Sequence, residues 1–132
     1  MDVLCDTSFL IIFLSVPIKQ LERIEFHFGK LNLLVPDAVI KELKQLEKKA
    51  GPKRSKLAST AIEICCSRFK IVQVSKSNHV DDSLIEYAMN HKCAIATIDT
   101  RLRRRCITNN VPVITLNRNR LIIAGPINRK WL

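Results

Sequence analysis

Aromatic residues are scarce, at 5% of 132 residues with one Trp and one Tyr, so any core must be built from aliphatic side chains. No apolar run approaches the roughly 20 residues needed to cross a bilayer. The longest, Phe9 to Leu14 with Val16 beyond Ser15, falls far short, which leaves no candidate for a membrane-spanning helix. It is also a poor secretory signal, because Asp2 and Asp6 precede it and no Lys or Arg does. A cytoplasmic location is expected. The five cysteines (Cys5, Cys65, Cys66, Cys93, Cys106) contain no C-x-x-C pair, and an odd number cannot all pair within the chain. Most lie in apolar runs, where cysteine acts as a small hydrophobe. Zinc, which takes clustered Cys and His ligands, is not indicated. The histidines (His27, His79, His91) are scattered, and His79 reads as a loop residue. Repeats, low-complexity tracts and long linkers are lacking too. After Asp99 there is no acidic residue at all.

What is present is positive charge and a large aliphatic fraction. A hydrophobic content of 47% suits one domain with a real core, expected over 1–132 with a basic extension from about 117. The formal charge is +10. Beyond Asp99 it comes from Arg101, Arg103, Arg104, Arg105, Arg118, Arg120, Arg129 and Lys130. A second cluster holds Lys41, Lys44, Lys48, Lys49, Lys53, Arg54 and Lys56, against Glu42 and Glu47 alone. Such a field attracts nucleic acid, an anionic membrane or an acidic protein, and no apolar segment favours the membrane.

The patterning predicts alternating strands and helices. Strands are expected over 1–6, 31–35, 69–74, 94–98 and 111–116, with a late edge strand over 121–124. Helices are expected over 8–16, from Pro17 to Gly29, over 37–49 capped by Asp37, over 54–67, from the Asp81-Asp82 cap to His91, and over 100–109. Their buried faces are read as Ile18, Leu21, Ile24 and Phe28; Val39, Ile40, Leu43 and Leu46; Leu57, Ala61 and Ile64; and Leu84, Ile85, Ala88 and Met89. Strands that read as continuous apolar runs belong to a parallel sheet covered on both faces. The expected fold is a Rossmann-like, three-layer α/β/α sandwich around a mostly parallel sheet of about five strands. Ligands in such sheets bind outside the carboxyl ends of the strands, at a topological switch point.

Four acidic residues are placed to meet there. Asp6 and Asp99 end predicted strands, and each is followed by Thr. Asp82 stands in the first turn of its helix and is read as facing the crevice, with Asp81 as a cap or outer neighbour. Glu42 borders the apolar stripe of its helix, where pairing with Lys41 or Lys44 is the plain alternative. Capping is the plain alternative for Asp6. Converging carboxylates repel one another, and a divalent cation relieves the repulsion. All-oxygen ligands select Mg²⁺ or Mn²⁺ over zinc. Ser8 and Thr97 are candidate supporting hydroxyls. Arg101, Arg104 and Arg105 share a helix side and are candidates for holding backbone phosphates, with Arg118, Arg120, Arg129 and Lys130 extending the track. Tyr87 and Trp131 are the available stacking platforms, so backbone contacts and a steep salt dependence are expected.

With these residues in view, the chain resembles a PIN domain. The resemblance rests on Val3-Leu4-Cys5-Asp6-Thr7-Ser8-Phe9-Leu10, on Val35-Pro36-Asp37-Ala38-Val39-Ile40-Lys41-Glu42-Leu43, on Asp82 with its helix, and on Ala96-Thr97-Ile98-Asp99, in that order. Thr97-Ile98-Asp99-Thr100-Arg101-Leu102-Arg103-Arg104 followed by Val111-Pro112-Val113 looks most like archaeal and eukaryotic PIN nucleases of ribosomal RNA processing. Bacterial-type toxins come next. The resemblance implies a metal-dependent endoribonuclease acting on single-stranded RNA, such as pre-rRNA or RNA of ribosomal particles. It places Asp6, Glu42, Asp82 and Asp99 around one or two Mg²⁺ or Mn²⁺ ions, and a homodimer is an assembly frequent in the family. One departure stands out: many members carry an Asp where this chain has Arg101, which weakens a second metal position. The alternatives are an inactive PIN-fold RNA-binding protein and a toxin-type ribonuclease with an antitoxin. A phosphorylated receiver-type switch is disfavoured by the charge and by the want of a lysine partner after the last strand.

Overall fold

The run Val3-Leu4-Cys5 has no polar residue to turn toward water, so a strand made from it needs cover on both faces. In the computed structural model, which describes residues 1–16, 18–76 and 79–125 (backbone alone at 27 and 28), this run forms the central strand β1 (Asp2–Cys5). It is followed by α1 (Thr7–Ser15), α2 (Leu21–Phe28), β2 (Asn32–Pro36), α3 (Asp37–Lys49), α4 (Pro52–Arg68) and β3 (Lys70–Val72). Then come α5 (Val80–His91), β4 (Ala94–Ala96), α6 (Thr100–Thr108), β5 (Val113–Asn117) and β6 (Arg120–Ala124). The strand order is β3-β2-β1-β4-β5-β6; the first five are parallel and β6 runs antiparallel to β5. The chain moves outward from β1 to β3 on one side, then returns to β4 on the other. The switch point therefore lies between β1 and β4.

Alternation along β1 divides the core. Val3 and Cys5 face one layer with Phe9, Leu10, Val39 and Leu43. Leu4 faces the other with Leu84, Ala88, Leu102 and Cys106. Helices α1 to α4 thus cover one face and α5 with α6 the other, the expected three-layer sandwich. Each fully buried Leu contributes about 1.5–3 kcal/mol. Cys5, Cys65, Cys93 and Cys106 are buried and free, and Cys66 is exposed and free. Among the described residues no helix is long and apolar enough to cross a membrane.

Several local expectations are corrected. The helix read from Pro17 begins at Leu21. The Lys19 N–H donates to the Asn119 carbonyl (2.8 Å), and Leu121 donates back to the Lys19 carbonyl (2.9 Å). That bridge to the β6 edge holds the segment extended, and Gln20 turns into the helix at φ 73°. The stop at Gly29 holds, at φ 82°. Asp37 is the first residue of α3 rather than its cap; its Oδ1 accepts from Ala38 (2.9 Å) and from Val74 (3.2 Å), tying down the chain after β3. Asp81 and Asp82 lie inside the first turn of α5, where the helix dipole favours them, and His79 holds the cap position. The inner face of α4 is Ala58, Ala61 and Cys65, one residue round from the face expected. Met89 is exposed. The sheet has six strands: the basic stretch from about 117 belongs to it as far as Ala124, because the late edge strand expected over 121–124 forms as β6 and pairs with β5 in a hairpin. Arg118 and Asn119, at φ 52° and 63°, make its turn in the left-handed form that suits strand twist. Pro17, Arg129, Lys130 and Trp131 lie outside the described residues, as does the Phe28 side chain.

Candidate active site at the carboxyl edge of the sheet

Strand register brings the first two site residues together. Cys5 pairs with Ala96 across β1 and β4, so the next residues, Asp6 and Thr97, leave the sheet side by side. The Asp6 N–H donates to the Ala96 carbonyl (3.0 Å). The Asp6 carboxylate is 8% exposed and Thr97 is fully buried. Asp6 Oδ1 accepts from Ser8 Oγ (2.8 Å) and the Phe9 N–H (2.8 Å), and Oδ2 accepts from Thr97 Oγ1. Three of about four acceptor positions on the carboxylate are thereby used, and the group is locked in one orientation. Burial pushes the Asp6 pKa up, these three donors pull it down, and the Asp81 charge pushes it up again.

Asp99 stands three residues beyond the end of β4 and caps α6, with Oδ1 accepting from Arg101 N–H (2.8 Å) and Leu102 N–H (3.3 Å). Its own N–H donates to Thr97 Oγ1 (3.0 Å), so one buried hydroxyl ties Asp6 to Asp99. Capping and convergence are not rival roles here. Asp6 and Asp99 both cap through Oδ1 and still line one crevice. Glu42 reaches it from the second turn of α3. Thr7 Oγ1 donates to Glu42 Oε2 (2.7 Å), so a threonine, rather than the lysine pairing considered from the sequence, orients this carboxylate.

The crevice has a volume of about 240 Å³, with Asp6, Glu42, Asp81 and Asp99 on its walls. Asp82 is not on that wall. The structure reverses the expected order of the pair: Asp81 looks inward, while Asp82 is ion-paired with Arg105 at the rim. The Arg105 hydrogen bond holds the Asp82 pKa low. Burial and then the Asp99 charge raise that of Asp81, with Arg105 and Arg101 pulling the other way. Arg105 is thus engaged with Asp82, and Arg101 and Arg104 are exposed on α6. The turn carrying Arg118 lies at the same carboxyl edge, because β5 is parallel to β4. Ser8 and Thr97 turn their hydroxyl hydrogens to Asp6, so their part is to orient the carboxylate.

Two contributors escaped the sequence reading. Thr7 gave no signal beyond its place after Asp6. Arg54 was one member of a basic cluster, yet it lines the crevice. Tyr87 is remote: it stacks on His91 (centroids 3.9 Å apart) beside Asp2 and Lys70, at the amino end of the strands.

The donor set suits a hard cation, being all oxygen and mutually repulsive. Among the described residues, no three His, Cys, Asp or Glu side chains stand close enough to cage an ion by themselves. Mg²⁺ does not require a cage, since it keeps several waters and is held by one or two carboxylates together with substrate phosphates.

By fold and site, then, the chain is a parallel α/β sandwich with an acidic crevice at its switch point. It belongs to the PIN-like domain family, whose model matches residues 3–120. Ribonuclease VapC4 of Methanocaldococcus jannaschii is 27% identical over 118 residues, spanning 87% of this chain and 89% of that protein. The PIN domain endonuclease Utp24 has the same fold, with a TM-score of 0.71 and 22% identity over 96% of both chains. So has VapBC2 from Rickettsia felis, solved bound to a DNA fragment from its promoter, with a TM-score of 0.64 and 14% identity over 89% of this chain and all of that one.

Proposed function

We propose that the chain is a Mg²⁺- or Mn²⁺-dependent endoribonuclease that hydrolyses single-stranded RNA. The observation that carries this is the meeting of four carboxylates in one crevice of a chain with net charge +10. Acids gathered against such a background suit a cation and a polyanion together. The ribonuclease relative supports RNA as the polymer. One or two of Asp6, Asp81 and Asp99, together with water and substrate phosphate, would hold the cation, with Glu42 facing them from α3. When bound, the cation supplies Lewis acidity toward the phosphate and the attacking water.

The chain's own residues do the rest. Thr97, Ser8 and the Phe9 N–H fix Asp6 and favour its ionised form against the effect of burial, and Thr7 fixes Glu42. Ile11, Val39, Leu46 and Leu84 give the crevice an apolar floor, which strengthens electrostatic contacts there. In-line hydrolysis with a 3′-oxygen leaving group gives 5′-phosphate and 3′-hydroxyl ends. Pre-rRNA is the substrate we would test first, because the motif over 97–104 with Val111-Pro112-Val113 resembles the rRNA-processing members. The test is incubation with single-stranded RNA and Mn²⁺ or Mg²⁺, beside Asp6→Asn and Asp99→Asn. Metal-dependent cleavage lost in both variants is expected. Equal cleavage by all three proteins contradicts the proposal, and RNA binding without cleavage by the wild type favours a scaffold.

A further inference from the structure

The crevice has one cation on its α1–α4 side, and the residues flanking that cation in α4 line a second depression. Arg54 lines the crevice beside Glu42, on the layer opposite Asp81 and Asp99. The neighbouring groove, about 290 Å³ between α1 and α4, is lined by Lys53, Lys56, Ser15 and Thr60 over an apolar floor that includes Leu14 and Leu57. Ile11 lines both depressions, so the two adjoin at this residue.

The dipole of α4 does not explain these cations. Lys53, Arg54 and Lys56 lie in the first turns of α4, whose first turn has no acidic residue and whose cap, Gly51, has no side-chain acceptor. A cation there opposes the helix dipole, which disfavours positive charge at a helix N-terminus. Lys48 and Lys49, in the last turn of α3, bring more positive charge to the same corner. Five like charges held together beside an acidic crevice are relieved by a polyanion that spans both.

Resting on the ribonuclease reading above, we propose that the RNA strand runs from the crevice into the α1–α4 groove. Arg54 holds the phosphate nearest the scissile one, and Lys53 and Lys56, on one helix face at i and i+3, hold phosphates beyond it. Bases lie on the aliphatic floor, where this chain, poor in aromatics, offers no stacking ring. The strand therefore has contacts on both layers, with α6 on one side of the crevice and the α3–α4 corner on the other.

The test is fluorescence anisotropy of a labelled single-stranded RNA in EDTA, where turnover is suppressed, over a series of salt concentrations. Arg54→Ala and Lys53→Ala/Lys56→Ala are compared with wild type and with Lys70→Ala at the amino edge of the sheet. The double variant is expected to bind about tenfold more weakly, and each lost contact to lower the salt slope by about 0.7. Melting temperatures should hold or rise, since unfavourable dipole contacts are removed. Lys70→Ala should match wild type. Wild-type affinity and slope in the Arg54 and lysine variants overturn the groove while leaving the ribonuclease reading intact. Failure of the wild type to bind or cleave any RNA overturns that reading itself. Tighter binding of a polyglutamate peptide than of RNA, lost in the same variants, overturns the assignment in favour of an acidic protein partner.

Discussion

At the carboxyl edge of the sheet, Asp6 is almost wholly buried, takes three hydrogen bonds, and has its pKa raised by burial and by Asp81. At the amino edge, Asp2 is exposed and accepts one hydrogen bond, from Asn32 Nδ2 (3.1 Å). The amino-edge cleft is the larger, about 750 Å³ against about 240 Å³, and holds Lys70 and the Tyr87–His91 stack. Volume therefore points away from the acidic crevice. Clustered like charge points toward it, with Asp6 buried and Asp81 half-buried, because a fold keeps such charges at a cost. On the proposed function, a bound cation and its substrate offset that cost.

The sharpest way to break this contrast is to neutralise one acid at each edge. Asp6→Asn is expected to lower the initial rate of Mn²⁺-dependent RNA cleavage by about a thousandfold, or roughly 4 kcal/mol in the barrier. Asp2→Asn should leave the rate within about twofold of wild type, a change of under about 0.5 kcal/mol. Next in size is Thr97→Val. It removes a buried donor to Asp6 and the acceptor of the Asp99 N–H, and should cost about 1–3 kcal/mol in denaturant unfolding. Asn32→Ala, at the other edge, should stay within about 0.5 kcal/mol.

Titration gives a smaller effect of definite sign. Asp6 and Asp81 have raised pKa values in the folded state, so folding favours their protonated forms. The stability they contribute is complete below the unfolded carboxylate value of about 3.9 and is lost as pH rises through the raised values. In EDTA, Asp81→Asn should therefore melt higher than wild type at neutral pH. Mn²⁺ should raise the wild-type melting temperature and leave that variant less affected. The least effect is expected from Asp82→Ala. The Asp82 pKa is lowered by Arg105, so this pair's contribution has the opposite sign: present above the unfolded value and lost as pH falls through the folded one. It is exposed, so calorimetry should show little change, and high salt should erase it.

How much of this could be read along the chain differs from one residue to the next. The sandwich followed from apolar runs alternating with helical stripes. Asp6 and Asp99 were found because a parallel sheet turns its strand ends to one edge. The helix start at Leu21 was hidden, because what holds Lys19 extended is β6, which comes far later in the chain. The order of Asp81 and Asp82 was legible but misread. Asp81 lies three and four residues before Leu84 and Ile85, on the buried stripe, whereas Asp82 lies four before the exposed Glu86. Arg54 could not be singled out, since only the packing of α4 beside α3 and α1 separates it from the lysines around it.

The measurement closest to the central claim compares Asp81→Asn with Asp82→Asn in RNA cleavage and in Mn²⁺ binding by calorimetry. Asp81→Asn is expected to lose both, and Asp82→Asn to keep both within about threefold, or under about 0.7 kcal/mol. Loss of cleavage and Mn²⁺ binding in Asp82→Asn, with both retained in Asp81→Asn, would contradict the crevice as described.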